Sequence, residues 1–320
     1  MTVVTVIDRV REEGLSLLRA RPGIELALLP EPTPETLMAA MPRSEAILVR
    51  TTKLTPAMLD AATRLKVVSR HGVGYDNVPL EPLTRRRIPL AIAATANMIA
   101  VAEHTIFAMM ELAKHGRAFD SALRRGDWAL RNRLSPVELH GKTLLIVGFG
   151  RIGAHVARRA RAFDMEVLVL DPVAPPERVA EAGCRRIENL GAGLEAADVV
   201  SLHCPLTEAT RNLLGEAELA RMRPGALLVN TARGGLVDEV ALAACLASGR
   251  LGGAALDAFS QEPPPGNHPL LELPNVLLTP HMAGVTAEAA LRMAVESAQN
   301  LLAALDGRLD PSVVVNPQVL

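Results

Sequence analysis

The sequence predicts an α/β protein with parallel sheets in two domains, and three observations carry that reading. Its 320 residues exceed the roughly 100 to 200 of a single domain. Short β-branched or aliphatic runs alternate with longer amphipathic stretches along the chain, the order that builds parallel strands covered by helices. From Leu144 onward, six apolar runs recur at similar spacing and each closes in a polar or glycine-containing segment, the pattern of a doubly wound, nucleotide-binding type of domain.

In order, the strands read as Val3 to Ile7, Ala46 to Val49, Lys66 to Ser69, Leu144 to Val147, Glu166 to Leu170, Val199 to Leu202, Ala226 to Asn230, Gly253 to Leu256 and Val276 to Leu278. Ala154 to Ala162 and Glu239 to Ala247 have helical composition after the fourth and seventh of these. Val101 to Ala118 reads as a helix that is apolar on more than one face, with Phe107, Met109, Met110 and Leu112 in it, and is expected to be buried between domains or subunits. Ala287 to Leu305 reads as a last long helix, which Asp306-Gly307-Arg308 closes with a glycine stop. Pro175-Pro176 and Pro263-Pro264-Pro265 are too short to be more than loops, so domain boundaries rest on motifs.

Composition excludes several functions. Lys plus Arg is 34 against 35 Asp plus Glu, and with no basic tail nothing recruits nucleic acid electrostatically. Trp128 and Tyr75 are the sole residues of their types, so the stacking platform of a single-strand binder is missing. Cys184, Cys204 and Cys245 form no C-x-x-C pair, which argues against a disulfide framework and a structural zinc site and leaves three reduced thiols and no metal. Met1 to Asp8 reads as a first strand and lacks the order of a signal peptide. The longest nearly apolar stretch, Ile88 to Ala102, contains Pro89 and Asn97 and falls short of the about 20 residues of a membrane span. The expectation is a cytoplasmic protein.

Leu144-Leu145-Ile146-Val147 leads into Gly148-Phe149-Gly150-Arg151-Ile152-Gly153, and a second strand ends at Asp171. Gly148 allows the tight turn, Gly150 lets backbone amides approach a pyrophosphate, and Gly153 lets the helix pack close to the strand. An acid about twenty residues on can take a ribose 2′-hydroxyl. An ionised Asp171 would repel a 2′-phosphate, and Pro172 supplies no cation to neutralise one, so NAD is expected rather than NADP. A flavin is the rival, because its adenosine half can use the same fingerprint.

Ligands of open α/β sheets bind beyond the carboxyl ends of strands. Asn230 is followed there by Arg233, Leu256 by Asp257 and Glu262, and Leu278 by His281. Hydride transfer from a hydroxyl-bearing carbon needs a group that takes the hydroxyl proton, and a histidine can do so near neutral pH. His281 is the expected base. Glu262 suits the carboxylate that orients its ring and favours its protonated form, and Arg233 can hold a substrate carboxylate in a bidentate pair. A 2-hydroxy or 2-oxo acid is the substrate this set implies.

Ser69 to Asn77, Val101 to Glu103, Glu138 to Thr143, His203 to Thr207, Asn230 to Gly235, Leu256 to Pro264 and Pro280-His281 together resemble a known family over nearly the whole chain. It is that of the NAD-dependent D-isomer-specific 2-hydroxyacid dehydrogenases, in the branch similar to 3-phosphoglycerate dehydrogenase. The resemblance implies two Rossmann-like doubly wound parallel-sheet domains, the cofactor domain (98–286) inserted into a discontinuous substrate domain (1–97 and 287–320). It puts the family's catalytic Arg, Glu and His on Arg233, Glu262 and His281. Its nucleotide contacts fall on Gly148, Gly150, Arg151, Ile152, Gly153, Asp171, His203, Cys204, Pro205, Thr231, Ala232, Asp257 and Gly284. Its substrate contacts fall on Arg50, Arg70, Gly72, Val73 and Gly74, the amides of Val73 and Gly74 being offered to the substrate carboxylate.

Arg50 and Arg70 match positions similar to the distal phosphate contacts of the phosphoglycerate branch, although the Arg50 segment is one residue shorter; the alternative is that both make only domain ion pairs. For His71 no functional role is assigned, loop hydrogen bonding being expected ahead of substrate selection. The resemblance also implies a homodimer through the cofactor domain, and the end of the sequence at Leu320 leads to the expectation that extra C-terminal regulatory domains are absent. The activity expected is interconversion of a D-2-hydroxy acid and a 2-oxo acid, with an anionic C3 substituent as one form. The alternatives are a glyoxylate or hydroxypyruvate reductase with a small uncharged C3 group, and a non-catalytic NAD-sensing scaffold. Formate oxidation is disfavoured, because that branch pairs its histidine with Gln where this chain has Glu262.

Overall fold

The alternating runs become two separate parallel sheets. In the computed structural model, which describes all residues from Met1 to Leu320, the chain divides into one unit of Met1–Asn97 with Val285–Leu320 and a second of Met98–Gly284.

The first unit carries β1 (Thr2–Ile7), α1 (Glu12–Arg19), β2 (Ile24–Leu29), α2 (Pro34–Ala40), β3 (Ala46–Val49), α3 (Pro56–Ala61), β4 (Val67–Arg70), α4 (Leu80–Arg85) and β5 (Leu90–Ile92). Its strands lie in the order β2-β1-β3-β4-β5, every pair parallel. Side chains alternate between faces along a strand. Ile47 and Val49 of β3 therefore meet Leu54, Leu59 and Leu83, while Ala46 and Leu48 face the other way toward Leu15 and Leu18 of α1.

The second unit carries α5 (Met98–Lys114), α6 (Gly116–Arg124), β6 (Thr143–Val147), α7 (Arg151–Arg161), β7 (Glu166–Leu170), α8 (Pro176–Glu181), β8 (Arg185–Arg186), α9 (Leu190–Ala196), β9 (Val199–Leu202), α10 (Glu216–Arg221), β10 (Leu227–Asn230), α11 (Glu239–Ala247), β11 (Gly253–Leu256) and β12 (Val276–Leu278). The seven strands run β12-β11-β10-β9-β6-β7-β8. The order reverses at β6 and β9, the switch point where doubly wound sheets bind nucleotides. Leu145, Val147, Leu228 and Leu256 build the core on one face; Leu144, Ile146, Met109, Leu112 and Phe149 build it on the other. The last helix, α12 (Ala287–Leu305), belongs to the first unit, where Ala298 and Leu301 complete the cluster beside α1. Ser69 Oγ donates to the Ser297 carbonyl at 2.7 Å and fixes α12 on β4.

Four differences from the sequence reading have physical causes. Ile24–Leu29, Leu90–Ile92 and Arg185–Arg186 are strands that the pattern did not show, and β2, β5 and β8 are all edge strands. An edge strand is paired on one side only, so its composition is less constrained. The helix expected over Val101 to Ala118 is two helices: His115 takes a left-handed φ of +53°, and the Glu111 carboxylate accepts from the Arg117 amide at 2.9 Å and starts α6. One side of α5 packs into the unit's core, but Phe107 is 50% exposed. No helix is long and apolar enough to cross a membrane, and all three cysteines are unpaired.

Candidate active site

The glycine turn lies between β6 and α7. Gly148 has φ +98°, and a Cβ there would sit 2.6 Å from the Cys204 amide, so only glycine allows the turn to pass against His203-Cys204. At Gly153 a Cβ would lie 2.2 Å from the Gly148 carbonyl oxygen, which is why α7 can start so close to the strand. At Gly150 a Cβ would meet nothing within 4 Å, and this residue caps α7 without any side-chain hydrogen bond. The helix start thus offers amides and a positive dipole end to open space, which fits a pyrophosphate. Arg151 and Ile152 form the first turn of α7.

Asp171 stands just past β7. Its Oδ2 accepts from the Phe149 amide at 2.6 Å and its Oδ1 from the Val173 and Ala174 amides at 2.8 and 2.9 Å. Burial works against ionisation, but these three donors outweigh it and hold the carboxyl below the usual range. The acid is therefore ionised at neutral pH and keeps lone pairs for a ribose hydroxyl, while also tying the glycine turn to β7. His203 donates its amide to the Val147 carbonyl at 2.7 Å and pairs its Nε2 with Ser201 Oγ at 2.8 Å; burial pushes it down to about 4, so its ring is neutral. Burial also pushes the Cys204 thiol up to about 11, so it is a protonated thiol rather than a nucleophile. Pro205 accepts from Thr210 Oγ1 through its carbonyl at 2.6 Å. Gly284 ends the second unit.

Arg233, Glu262 and His281 stand beyond the carboxyl ends of β10, β11 and β12, three neighbours in register at Asn230, Leu256 and Leu278. Buried Asn230 shapes the first loop: its Nδ2 donates to the Arg233 carbonyl at 2.7 Å and its Oδ1 accepts from the Ala232 amide at 3.1 Å. Arg233 Nη1 donates to the Ala232 carbonyl at 2.7 Å, and Thr231 Oγ1 lies 3.0 Å from Thr105 Oγ1 of α5. The Glu262 carboxylate oxygens sit 2.9 and 2.8 Å from His281 Nδ1, so Nε2 is the ring nitrogen not committed to Glu262. The two side chains are 49% and 39% exposed, so the pair is open to a reactant.

His281 is held in the left-handed region at φ +49°, a conformation that costs a non-glycine residue about 1 to 3 kcal/mol. Asp257 stabilises it. This carboxylate is 2% exposed and accepts from the Met282 amide and Thr279 Oγ1 through Oδ1 at 2.8 and 2.6 Å and from the Ala283 amide through Oδ2 at 2.8 Å. His104 Nε2 of α5 reaches Thr279 Oγ1 at 3.2 Å. Asp257 thus aims the histidine loop, as well as standing where the resemblance puts a nucleotide contact.

Arg50, Arg70, Gly72, Val73 and Gly74 lie in the first unit: Arg50 follows β3, Arg70 ends β4, and Gly72 to Gly74 lie on the loop after it. One arm of the Arg70 guanidinium donates to the His71 carbonyl at 2.6 Å. It lies over Gly72, where φ is +136° and a Cβ would come within 1.6 Å of Arg70 Nη1. Arg70 therefore braces its own loop, which neither sequence reading of that residue contained. Asp8, past β1, accepts from the Thr51 and Thr52 amides at 2.7 and 2.9 Å and shapes the segment after Arg50.

The His71 backbone is hydrogen-bonded in the loop, its amide donating to the Val49 carbonyl at 2.8 Å and its carbonyl accepting from Arg70, but its side chain takes no part through Nδ1: the residue is 4% exposed and Nδ1 is buried with no hydrogen-bond partner. Burial first, then the Arg50 and Arg70 cations, push it from 6.5 down to about 4. The unfolded chain therefore binds a proton that the folded one refuses. Stability is complete above pH 6.5 and is lost as pH falls toward about 4, by roughly 2 to 3 kcal/mol for this one residue. Urea unfolding at neutral pH and at about pH 4.5 measures it. A His71→Asn variant should lose less stability between the two pH values than wild type, and an equal loss in both proteins would remove His71 as the cause.

A parallel sheet with its glycine turn at the switch point defines a dinucleotide-binding type of α/β domain, and an Arg and a Glu–His pair stand past neighbouring strands of it. Residues 106–283 match the family described as D-isomer specific 2-hydroxyacid dehydrogenase, NAD binding domain. The chain is 37% identical over its whole length to D-3-phosphoglycerate dehydrogenase of Methanocaldococcus jannaschii, of which it spans 60%. It superposes with a TM-score of 0.89 and 28% identity on D-lactate dehydrogenase from Aquifex aeolicus complexed with NAD and lactic acid, over 98% of this chain and 99% of that one. A glyoxylate reductase from Paecilomyes thermophila matches at a TM-score of 0.88 and 29% identity, over 99% of each chain. This protein belongs to the D-isomer specific 2-hydroxyacid dehydrogenase family.

Proposed function

We propose that the protein is an NAD-dependent dehydrogenase interconverting a D-2-hydroxy acid and a 2-oxo acid. The Glu262–His281 pair at 2.8 Å, past the strand next to the Arg233 loop, is the observation that carries the reading. Bound nicotinamide supplies the hydride carrier. His281 Nε2 removes the proton of the substrate hydroxyl as hydride leaves its carbon, and returns it to the oxo oxygen in reduction. Glu262, on Nδ1, orients the ring and stabilises its protonated form. Arg233 binds the substrate carboxylate and polarises the neighbouring carbonyl. Arg151 and Ile152 at the start of α7, with the turn glycines, hold the pyrophosphate; Thr231, Ala232, His203, Cys204, Pro205, Asp257 and Gly284 line the rest of the dinucleotide. Ionised Asp171 supports NAD over NADP by repelling a 2′-phosphate.

For the substrate we propose an anionic C3 substituent met by Arg50 and Arg70, with Val73 and Gly74 amides on the carboxylate. The phosphoglycerate dehydrogenase relative supports this; the structural likeness to a glyoxylate reductase and the bracing role of Arg70 support the alternative of a small neutral C3 group. The test is NADH and NADPH oxidation with glyoxylate, pyruvate, hydroxypyruvate, 3-phosphohydroxypyruvate and 3-sulfopyruvate, by wild type, Arg70→Ala and Asp171→Ala. The expected result is highest kcat/KM for an anionic C3 group, an advantage lost in Arg70→Ala, and an NADH preference eroded in Asp171→Ala. Neutral acids ranking first in both wild type and Arg70→Ala would establish the reductase reading, and no turnover with any acid the NAD-sensing scaffold.

We further propose a homodimer through the second unit, where Phe107, Leu123 and Trp128 are 50%, 58% and 63% exposed. Light scattering at the monomer mass of 34.1 kDa would remove it.

A further inference from the structure

Glu239, the first residue of α11 after its Asp238 cap, is a buried carboxylate with no part in the chemistry above. Its side chain is 5% exposed and faces His268 at 11%. Three donors converge on it. The Ser260 amide donates to Oε1 at 2.6 Å, Ser260 Oγ to Oε2 at 2.9 Å, and His268 Nε2 to Oε2 at 2.9 Å. His268 Nδ1 accepts from the Leu270 amide at 3.4 Å, so one ring nitrogen accepts while the other donates. The His268 ring also stands edge-on to Phe259, with centroids 6.0 Å apart.

Ser260 lies in the short turn that carries Glu262. That turn is closed from within, because Glu262 Oε1 accepts from the Phe259 amide at 3.0 Å, and the same carboxylate holds His281. On its other side, Gly234 presses on the turn backbone so closely that a Cβ would come within 1.8 Å of the Phe259 carbonyl carbon. The segment from Arg233 to Glu239 thus touches the turn at Gly234 and hydrogen-bonds it at Glu239. One buried carboxylate ties the loop bearing Arg233 to the turn bearing Glu262.

We infer that Glu239 is a positioning residue for the reaction: through Ser260 and His268 it fixes the turn that aims Glu262 at His281, and sets its place against the Arg233 loop. The inference rests on the dehydrogenase reading for its kinetic consequence. Charge-assisted hydrogen bonds to a buried carboxylate hold geometry well, and a displacement of about 1 Å in a catalytic group costs on the order of 10²-fold in rate.

The experiment compares wild type with Glu239→Ala, Glu239→Gln and Ser260→Ala, using kcat and KM for the best 2-oxo acid, the cofactor dissociation constant and the thermal midpoint. The second readout is the side-chain ¹⁵N signals of His281, assigned by their loss in His281→Asn. Glu239→Ala is expected to lower kcat about 10- to 100-fold, with cofactor affinity unchanged and the Nδ1 signal moved toward that of an imidazole without a carboxylate partner. Glu239→Gln keeps an acceptor for Ser260 but turns a donor toward His268, so it should fall between Ala and wild type. Folded Glu239→Gln and Ser260→Ala proteins with wild-type kcat and an unmoved His281 signal would overturn the inference, whatever Glu239→Ala does to folding. If wild type turns over no 2-oxo acid, the dehydrogenase reading fails, and the His281 signal alone still decides whether Glu239 holds the pair.

Discussion

His281→Ala is expected to lower kcat by about 10²- to 10⁴-fold, the usual contribution of a positioned acid–base group, while the cofactor binds as before. The ring's Nδ1 is committed to Glu262, so only Nε2 is placed to exchange a proton with substrate, and alanine leaves no group to replace it. Stopped-flow and steady-state NADH absorbance give kcat, and NADH fluorescence gives cofactor affinity. Wild-type turnover by the variant without a rescuing buffer base would take His281 out of the mechanism. Glu262→Gln should give a smaller loss, because the carboxamide oxygen can still accept from Nδ1 and orient the ring.

Arg233→Ala is expected to reduce kcat/KM by roughly 30- to 5,000-fold, equivalent to the about 2 to 5 kcal/mol lost when one partner of a desolvated charge pair is truncated. Both kcat and KM should change, since the guanidinium serves the bound carboxylate and the carbonyl that gains charge as hydride arrives. Arg233→Lys should not restore the rate, because an ammonium lacks the planar fork for a bidentate pair. Asn230 holds the loop from both sides, so the loss should come from the side chain with the fold intact, as circular dichroism would verify. A lysine variant with wild-type kcat/KM would show that a point charge suffices and that no bidentate contact is made.

The glycine turn was legible because its requirements are local. Consecutive residues must supply a strand, a tight turn and a helix start, and the structure shows why Gly148 and Gly153 are needed where they stand, while Gly150 leaves open space before the helix start. The central strands were legible for a related reason: both of their faces are buried, so they read as continuous apolar runs. The edge strands β2, β5 and β8 were not, since their pairing comes from a distant neighbour more than from their own composition. The break at His115 was hidden in the same way, because a side chain on the preceding helix, Glu111, caps the next one.

The candidate site divides along the same line. Sequence alone determined the α/β class, the glycine fingerprint with Asp171, and the choice of Arg233, Glu262 and His281 as polar residues beyond apolar strands. Each can be read from a short stretch, either a turn whose backbone restricts residue type or a polar residue following an apolar strand. Tertiary structure alone decided that Glu262 meets His281 at Nδ1, that Asp257 holds His281 in a left-handed turn, that Glu239 and His268 pair beneath the Glu262 turn, and that Arg70 folds over Gly72 to brace its loop. The physical reason, for the first three, is that a hydrogen bond between groups 19 to 29 residues apart depends on how strands align in the sheet, and that alignment is set by the packing of both its faces at once.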